Sequence, residues 1–114
     1  MTALRETTWV EVCTEDAVPP ESGVAVLLPD SRQVAVFRTH DGELYALDNV
    51  DPFCGAAVLA RGILGDRGGV PVIVSPMYKH AFELRTGRCL DDPDVFLNSW
   101  QVRIRAGAIA VRSP

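Results

Sequence analysis

Histidine and cysteine are both scarce in this sequence, and neither is spaced to hold a metal. Only His40 and His80 are present, and Cys13, Cys54 and Cys89 stand far apart, matching neither a Cys-x-x-Cys zinc pattern nor an even disulfide framework. Three reduced thiols are expected, packing as small hydrophobes. His40 adjoins Asp41-Gly42 in an apparent turn and reads as solvated. Lys and Arg are scattered singly in a chain of net charge −4 and pI about 5.0, so there is no basic stripe to neutralise phosphates or anionic lipid. Nucleic acid and membrane surfaces are therefore not expected partners. No apolar run approaches the ~20 residues that span a bilayer, and "MTALRETTWVEV" lacks the regions of a secretory signal, so a cytoplasmic location is expected. No glycine-rich phosphate loop opens a helix, and no long amphipathic helix is visible.

What is present is the pattern of a folded β protein. Hydrophobic residues make up 47% of the chain against 23% charged, a balance that supports a core. The 114 residues fit one domain spanning 1–114, too short to add a separate catalytic domain. Short apolar alternations are broken by turn signals, which predicts antiparallel sheets in a sandwich or partial barrel. "WVEVC" and "VAVLL" are two such runs. "QVAVFR" and "LYALD" flank Thr39 to Glu43 and predict a hairpin turning on Asp41-Gly42; "WQVRIR" and "AIAVR" predict a second across Ala106-Gly107. Trp9 and Trp100 each begin an alternation and are expected as core anchors. Between the hairpins, approximately residues 49–94, lies a loop-rich insertion with irregular Gly and Pro.

Two stretches of that insertion carry the functional question. "DPFCGA" (Asp51 to Ala56) and "SPMYKHAF" (Ser75 to Phe82) have the outline of metal-site loops without the ligands. They resemble the Cys-Pro-His-x-Gly-Ala and Cys-Pro-x-His-Gly loops of Rieske-type iron–sulfur domains. On that match Asp51 and Ser75 occupy the cysteine positions, and Phe53 and Tyr78 the histidine positions. A Rieske centre needs two thiolates on one iron and two imidazoles on the other. Phe53 has no lone pair, Ser75 would have to ionise, and the oxygen donors of Asp51 and Tyr78 suit such a cluster poorly. Cys54 is one position off the ligand register. The plain expectations are that Asp51 forms a turn, that Phe53 and Tyr78 pack against each other or their neighbours in the cluster's volume, and that Arg61 and Lys79 are solvated cations. His80 reads as a chance polar residue, "GDRGG" as a flexible turn, and Gly87 as supplying positive φ at a turn.

The combination of Asp51-Pro52-Phe53, Val58-Leu59-Ala60-Arg61-Gly62, and Ser75-Pro76 with Lys79 is similar to the small subunits of assimilatory NAD(P)H-dependent nitrite reductase, a Rieske-like family without its cluster ligands. The resemblance covers nearly the whole chain. It implies a Rieske-like all-β fold, no [2Fe–2S] cluster in this chain, and a large-subunit partner holding sirohaem, an Fe–S cluster and flavin (FAD), which uses NAD(P)H to reduce nitrite to ammonium. It also implies a docking role for the loop tip, with Asp51, Phe53, Met77, Tyr78 and Lys79 as contacts. The alternative is a stand-alone Rieske-type ferredoxin or dioxygenase component with an atypical metal site built from Asp51, Cys54, His80 and Cys89.

Overall fold

Period-2 alternation sorts most of the chain into residues that face inward and residues that face out. The computed structural model describes residues 8–113. Nine strands follow in order: β1 (Val10–Thr14), β2 (Ser22–Leu27), β3 (Gln33–Arg38), β4 (Leu44–Asp48), β5 (Ile63–Arg67), β6 (Val70–Val74), β7 (Ala81–Glu83), β8 (Ser99–Arg105) and β9 (Ala108–Arg112). Six form an antiparallel sheet in the order β1-β9-β8-β4-β3-β2. Its end strands β1 and β2 approach each other, curling the sheet into a near-barrel. The only helical segments among the described residues are the short 3-10 turns Glu15–Ala17 and Leu59–Arg61.

The barrel interior is filled by Val26, Val34, Val36, Ala46, Trp100, Ile109 and Val111. Trp100 is a core anchor as expected, its indole N–H donating to Asp48 at 2.8 Å. Trp9 is not. Val10 and Val12 pack against the interior, so the register turns Trp9 out, where it lies against the guanidinium groups of Arg103 and Arg112.

The stretch expected to be loop-rich carries a sheet of its own, β5-β6-β7. Gly65 in β5, Pro71 in β6 and the three-residue length of β7 blur the alternation that would reveal these strands. A second apolar core joins the two sheets. Ala35, Phe37 and Leu47, on the outer face of β3 and β4, pack with Leu59, Ile73, Phe82, Leu84, Cys89 and Leu97. Half of the barrel's outside is thereby covered, and the covering layer presents the two motif loops. Gly87 is required beside this core: its φ is +80°, and an added Cβ would lie 2.0 Å from the Leu97 carbonyl oxygen. The positive φ expected there is therefore joined by a close backbone approach.

Both predicted hairpins form. Gly42 takes φ +91° in the first; in the second, Ala106 and Gly107 take φ +52° and +77°, the two positive values that a tight two-residue turn between twisted strands demands. Alanine is poorly suited to the first of these, because its Cβ crowds the following carbonyl. Ala106→Asn should therefore raise the unfolding free energy by about 0.5–1 kcal/mol in urea denaturation; a decrease would contradict this turn geometry.

Candidate functional site

The first motif loop is fastened at its base by a side chain the sequence reading passed over. Asn49, 1% exposed, donates from its amide to Gln33 Oε1 at 3.0 Å and accepts the Ala60 N–H at 2.8 Å, while its carbonyl accepts the Leu59 N–H at 3.0 Å. The exit from β4 and the turn that closes the loop are thus tied to one residue. An Asn directly after a strand and ahead of a loop was the available signal.

Asp51 and Ser75 each close their own loop. Asp51 Oδ1 accepts the Phe53 N–H at 2.8 Å, and its carbonyl accepts the Gly55 N–H at 2.7 Å, with Gly55 at φ +78°. Ser75 donates its N–H to the His80 carbonyl and accepts the Lys79 N–H, at 2.9 and 3.1 Å; the Met77 N–H points to its Oγ at 3.3 Å. The two loops then meet: Ser75 Oγ donates to Asp51 Oδ2 at 2.5 Å, with both residues 0% exposed. The turn-forming role expected of Asp51 is present, but a docking role is not, because a fully buried side chain cannot touch a partner.

The former histidine positions diverge. Phe53 stacks on His80 with ring centroids 3.7 Å apart and an interplanar angle of 10°, and leans on Phe82 at 6.2 Å. Tyr78 meets His80 only edge-on at 6.4 Å and is 61% exposed. Phe53 and Tyr78 therefore do not pack face to face; His80, read from sequence as incidental, is the ring between them. Among the described residues its Nδ1 is buried without a hydrogen-bond partner. Met77, 47% exposed, Tyr78 and Lys79 form the outward tip, beside exposed Pro52 and Cys54. Lys79 sits at φ +64°, in the place that the cluster-bearing motif gives to glycine.

Asp91 braces the second loop from behind, accepting the Ala81 N–H at 2.8 Å and an Arg67 N–H at 2.9 Å. The Ala81 N–H above all, then Arg67, holds its carboxyl below the usual carboxylate range.

This donor set does not fit a [2Fe–2S] centre. Asp51 and Ser75 are engaged with each other, Phe53 offers no lone pair, and Tyr78 is turned to solvent. Nor does the atypical site assemble: Cys89 belongs to the second core and Cys54 is exposed. Among the described residues no three His, Cys, Asp or Glu side chains come together as a metal-binding group.

The scaffold itself is that of cluster-bearing proteins. The Rieske-like [2Fe-2S] domain family matches residues 8–112. The nitrite reductase (NADH) small subunit of Escherichia coli strain K12 is 35% identical over 105 residues, which cover 91% of this chain and 96% of that protein. The chain belongs to the nitrite reductase small-subunit family. A solved structure from Mycobacterium tuberculosis, described as an NADH-dependent nitrite reductase small subunit, is 48% identical with a TM-score of 0.89, covering 94% of this chain and 96% of that one. The nitrite reductase [NAD(P)H] large subunit of Klebsiella oxytoca contains a region 41% identical over 109 residues; these cover 96% of this chain, which spans only 11% of that protein's length.

Within this family member, the buried pair across the two loops should be structural. Asp51→Ala strands the Ser75 hydroxyl and the Phe53 N–H and should cost about 2–4 kcal/mol in urea denaturation, while Ser75→Ala should cost less, about 1–3 kcal/mol. Equal stability of the Asp51 variant and wild type would sink the assignment. A pH dependence also follows. Because the folded-state value of Asp91 is depressed, its contribution is fully present above the unfolded carboxyl value of about 4 and is lost as pH falls through the lower folded-state value. Asp91→Asn should reduce stability at neutral pH and flatten its decline in acid, measured by thermal melts from about pH 7 to 3.

Proposed function

We propose that this chain is the small, non-redox subunit of a cytoplasmic NAD(P)H-dependent nitrite reductase, docking to a large subunit that reduces nitrite to ammonium in nitrate assimilation. On the family resemblance, sirohaem, an Fe–S cluster, FAD and the NAD(P)H site belong to the large subunit. The observation that carries the reading is the buried Asp51–Ser75 hydrogen bond: the positions that would supply thiolates are occupied by a pair that fastens the loops and leaves no room for ligation. A Rieske-like scaffold kept with its loops fastened and its donors gone serves a surface better than a redox reaction. The Klebsiella oxytoca relative supports the partner, since a region like this chain lies within that large subunit's own sequence.

The docking surface is the tip formed by Met77, Tyr78 and Lys79, flanked by the half-buried edge of Phe53; Asp51 supports it from beneath. Exposed Met and Tyr beside a single cation give an apolar centre with a charged rim. Lys79 adds a further argument. Its left-handed φ costs about 1 kcal/mol that glycine would avoid, and backbone strain of this kind collects at functional positions.

Met77→Asp and Lys79→Glu should each weaken association with the large subunit by about 1–3 kcal/mol in a binding titration, with melting temperatures close to wild type because both side chains are exposed. Unaltered binding by both folded variants would move the docking face elsewhere. Protein purified without oxygen should be colourless and free of iron; a brown, iron-loaded chain would overturn the non-redox reading.

A further inference from the structure

The half of the barrel's outer surface that the second sheet leaves uncovered is unlike the rest of the molecule. On β3 and β4 the outward residues are apolar and buried under the second core. On β1, β9 and β8, and just ahead of β1 in the case of Trp9, they are Trp9, Glu11, Arg112, Gln101, Arg103 and Arg105, with Ala108 and Ala110 between them. The register sets Arg112 opposite Gln101, Arg103 opposite Ala110 and Arg105 opposite Ala108, so three guanidinium groups share one face of two neighbouring strands.

Two of these cations are held in position. Arg103 and Arg112 lie over the Trp9 ring at 4.2 and 4.7 Å, and Arg112 is further held by donating to Gln101 Oε1. Among the described residues none of the three is in a salt bridge, and Glu11 is the one carboxylate whose charge bears on Arg103. Arg103 Nε is buried without a hydrogen-bond partner. Burial first, then repulsion from Arg105 and Arg112, opposes the charge on Arg103. Three arginines elsewhere have partners: Arg32 pairs with Asp30, Arg67 with Asp91, and Arg38 donates to the carbonyls of Val18 and Glu15. In a chain of net charge −4, three like charges gathered on an open face leave guanidinium donors for carboxylates supplied from outside.

We infer that the outer face of β8 and β9, centred on Arg103, Arg105 and Arg112 around Trp9, is a second docking surface that takes a carboxylate-rich segment of the large subunit. This rests on the small-subunit reading and adds to it the chemistry of the partner's surface. The face is separate from the Met77 to Lys79 tip, because β8 starts beside the end of β4 from which the first motif loop leaves and then runs away from it. The two surfaces would divide the work: the apolar tip governs the lifetime of the complex, and the arginine face governs its rate of formation and its sensitivity to salt.

The test measures association of the full chain with the immobilised large subunit at about 50 and 500 mM NaCl. Wild type should associate more slowly at high salt; Arg105→Glu should slow association on the order of tenfold at low salt and lose most of the salt dependence. Arg105 is exposed and unpaired among the described residues, so its variant should fold, and Arg105→Gln gives a milder second reading if charge reversal disturbs the hairpin. Met77→Asp should instead speed dissociation and keep the wild-type salt dependence. Wild-type kinetics in both Arg105 variants, with Met77→Asp still defective, would overturn the second surface and leave the small-subunit reading standing. No association of wild type at either salt concentration would overturn both. Binding of inorganic phosphate to the free chain that disappears in Arg105→Glu, with subunit association unchanged, would reassign the face to small anions and overturn the docking inference.

Discussion

One hydrogen bond, from Ser75 to Asp51, decides how this member of the Rieske-like family differs from a cluster protein. Two loops that elsewhere would be bridged through iron are here bridged directly, carboxyl to hydroxyl, in a place without solvent. A buried polar pair holds loops together only if each member is fully used, because a stranded donor or acceptor costs more than the bond returns. Here Asp51 also accepts the Phe53 N–H and closes its loop through Gly55, and Ser75 closes the other loop through Lys79 and His80. The loops consequently keep their positions without metal, and the Met77 to Lys79 tip remains presented.

Support for that bond comes from outside the loops. Asn49 ties the first loop to β3, Asp91 ties the second to β5 through Arg67, and the core between the sheets holds both against β3 and β4. His80 takes part in the same arrangement: stacked on Phe53, it occupies the space beside the bridge while its backbone carbonyl accepts from Ser75. The barrel thus has two different outer halves. One is covered and positions the loops, and the other, arginine-bearing half has no second sheet over it among the described residues.

Much of this organisation was readable because it is local. The hairpins at Asp41-Gly42 and Ala106-Gly107 announce themselves in alternation and turn chemistry, and the motif loops in the order of Asp, Pro and Phe and of Ser, Pro and Lys. The sheet within residues 49–94 was obscured by its short strands and its Gly and Pro. Trp9 was misplaced because an aromatic at the head of an apolar alternation can belong to either face, and only the register with β9 chooses one. His80 and Asn49 were missed because their roles depend on partners distant in sequence, Phe53 and Gln33.

Residue identity and alternation suffice for an antiparallel β fold, a family, and the replacement of four ligand positions, since phenylalanine and serine cannot serve as imidazole and thiolate. What the replacements do depends on contacts between distant parts of the chain. Asp51 and Ser75 are separated by 24 positions and become partners only when two loops converge. Likewise Arg103, Arg105 and Arg112 look like scattered cations in the chain. They become one charged face because the β8–β9 hairpin puts them on the same side, and because β1, distant in sequence, pairs with β9 and brings Trp9 against Arg103 and Arg112.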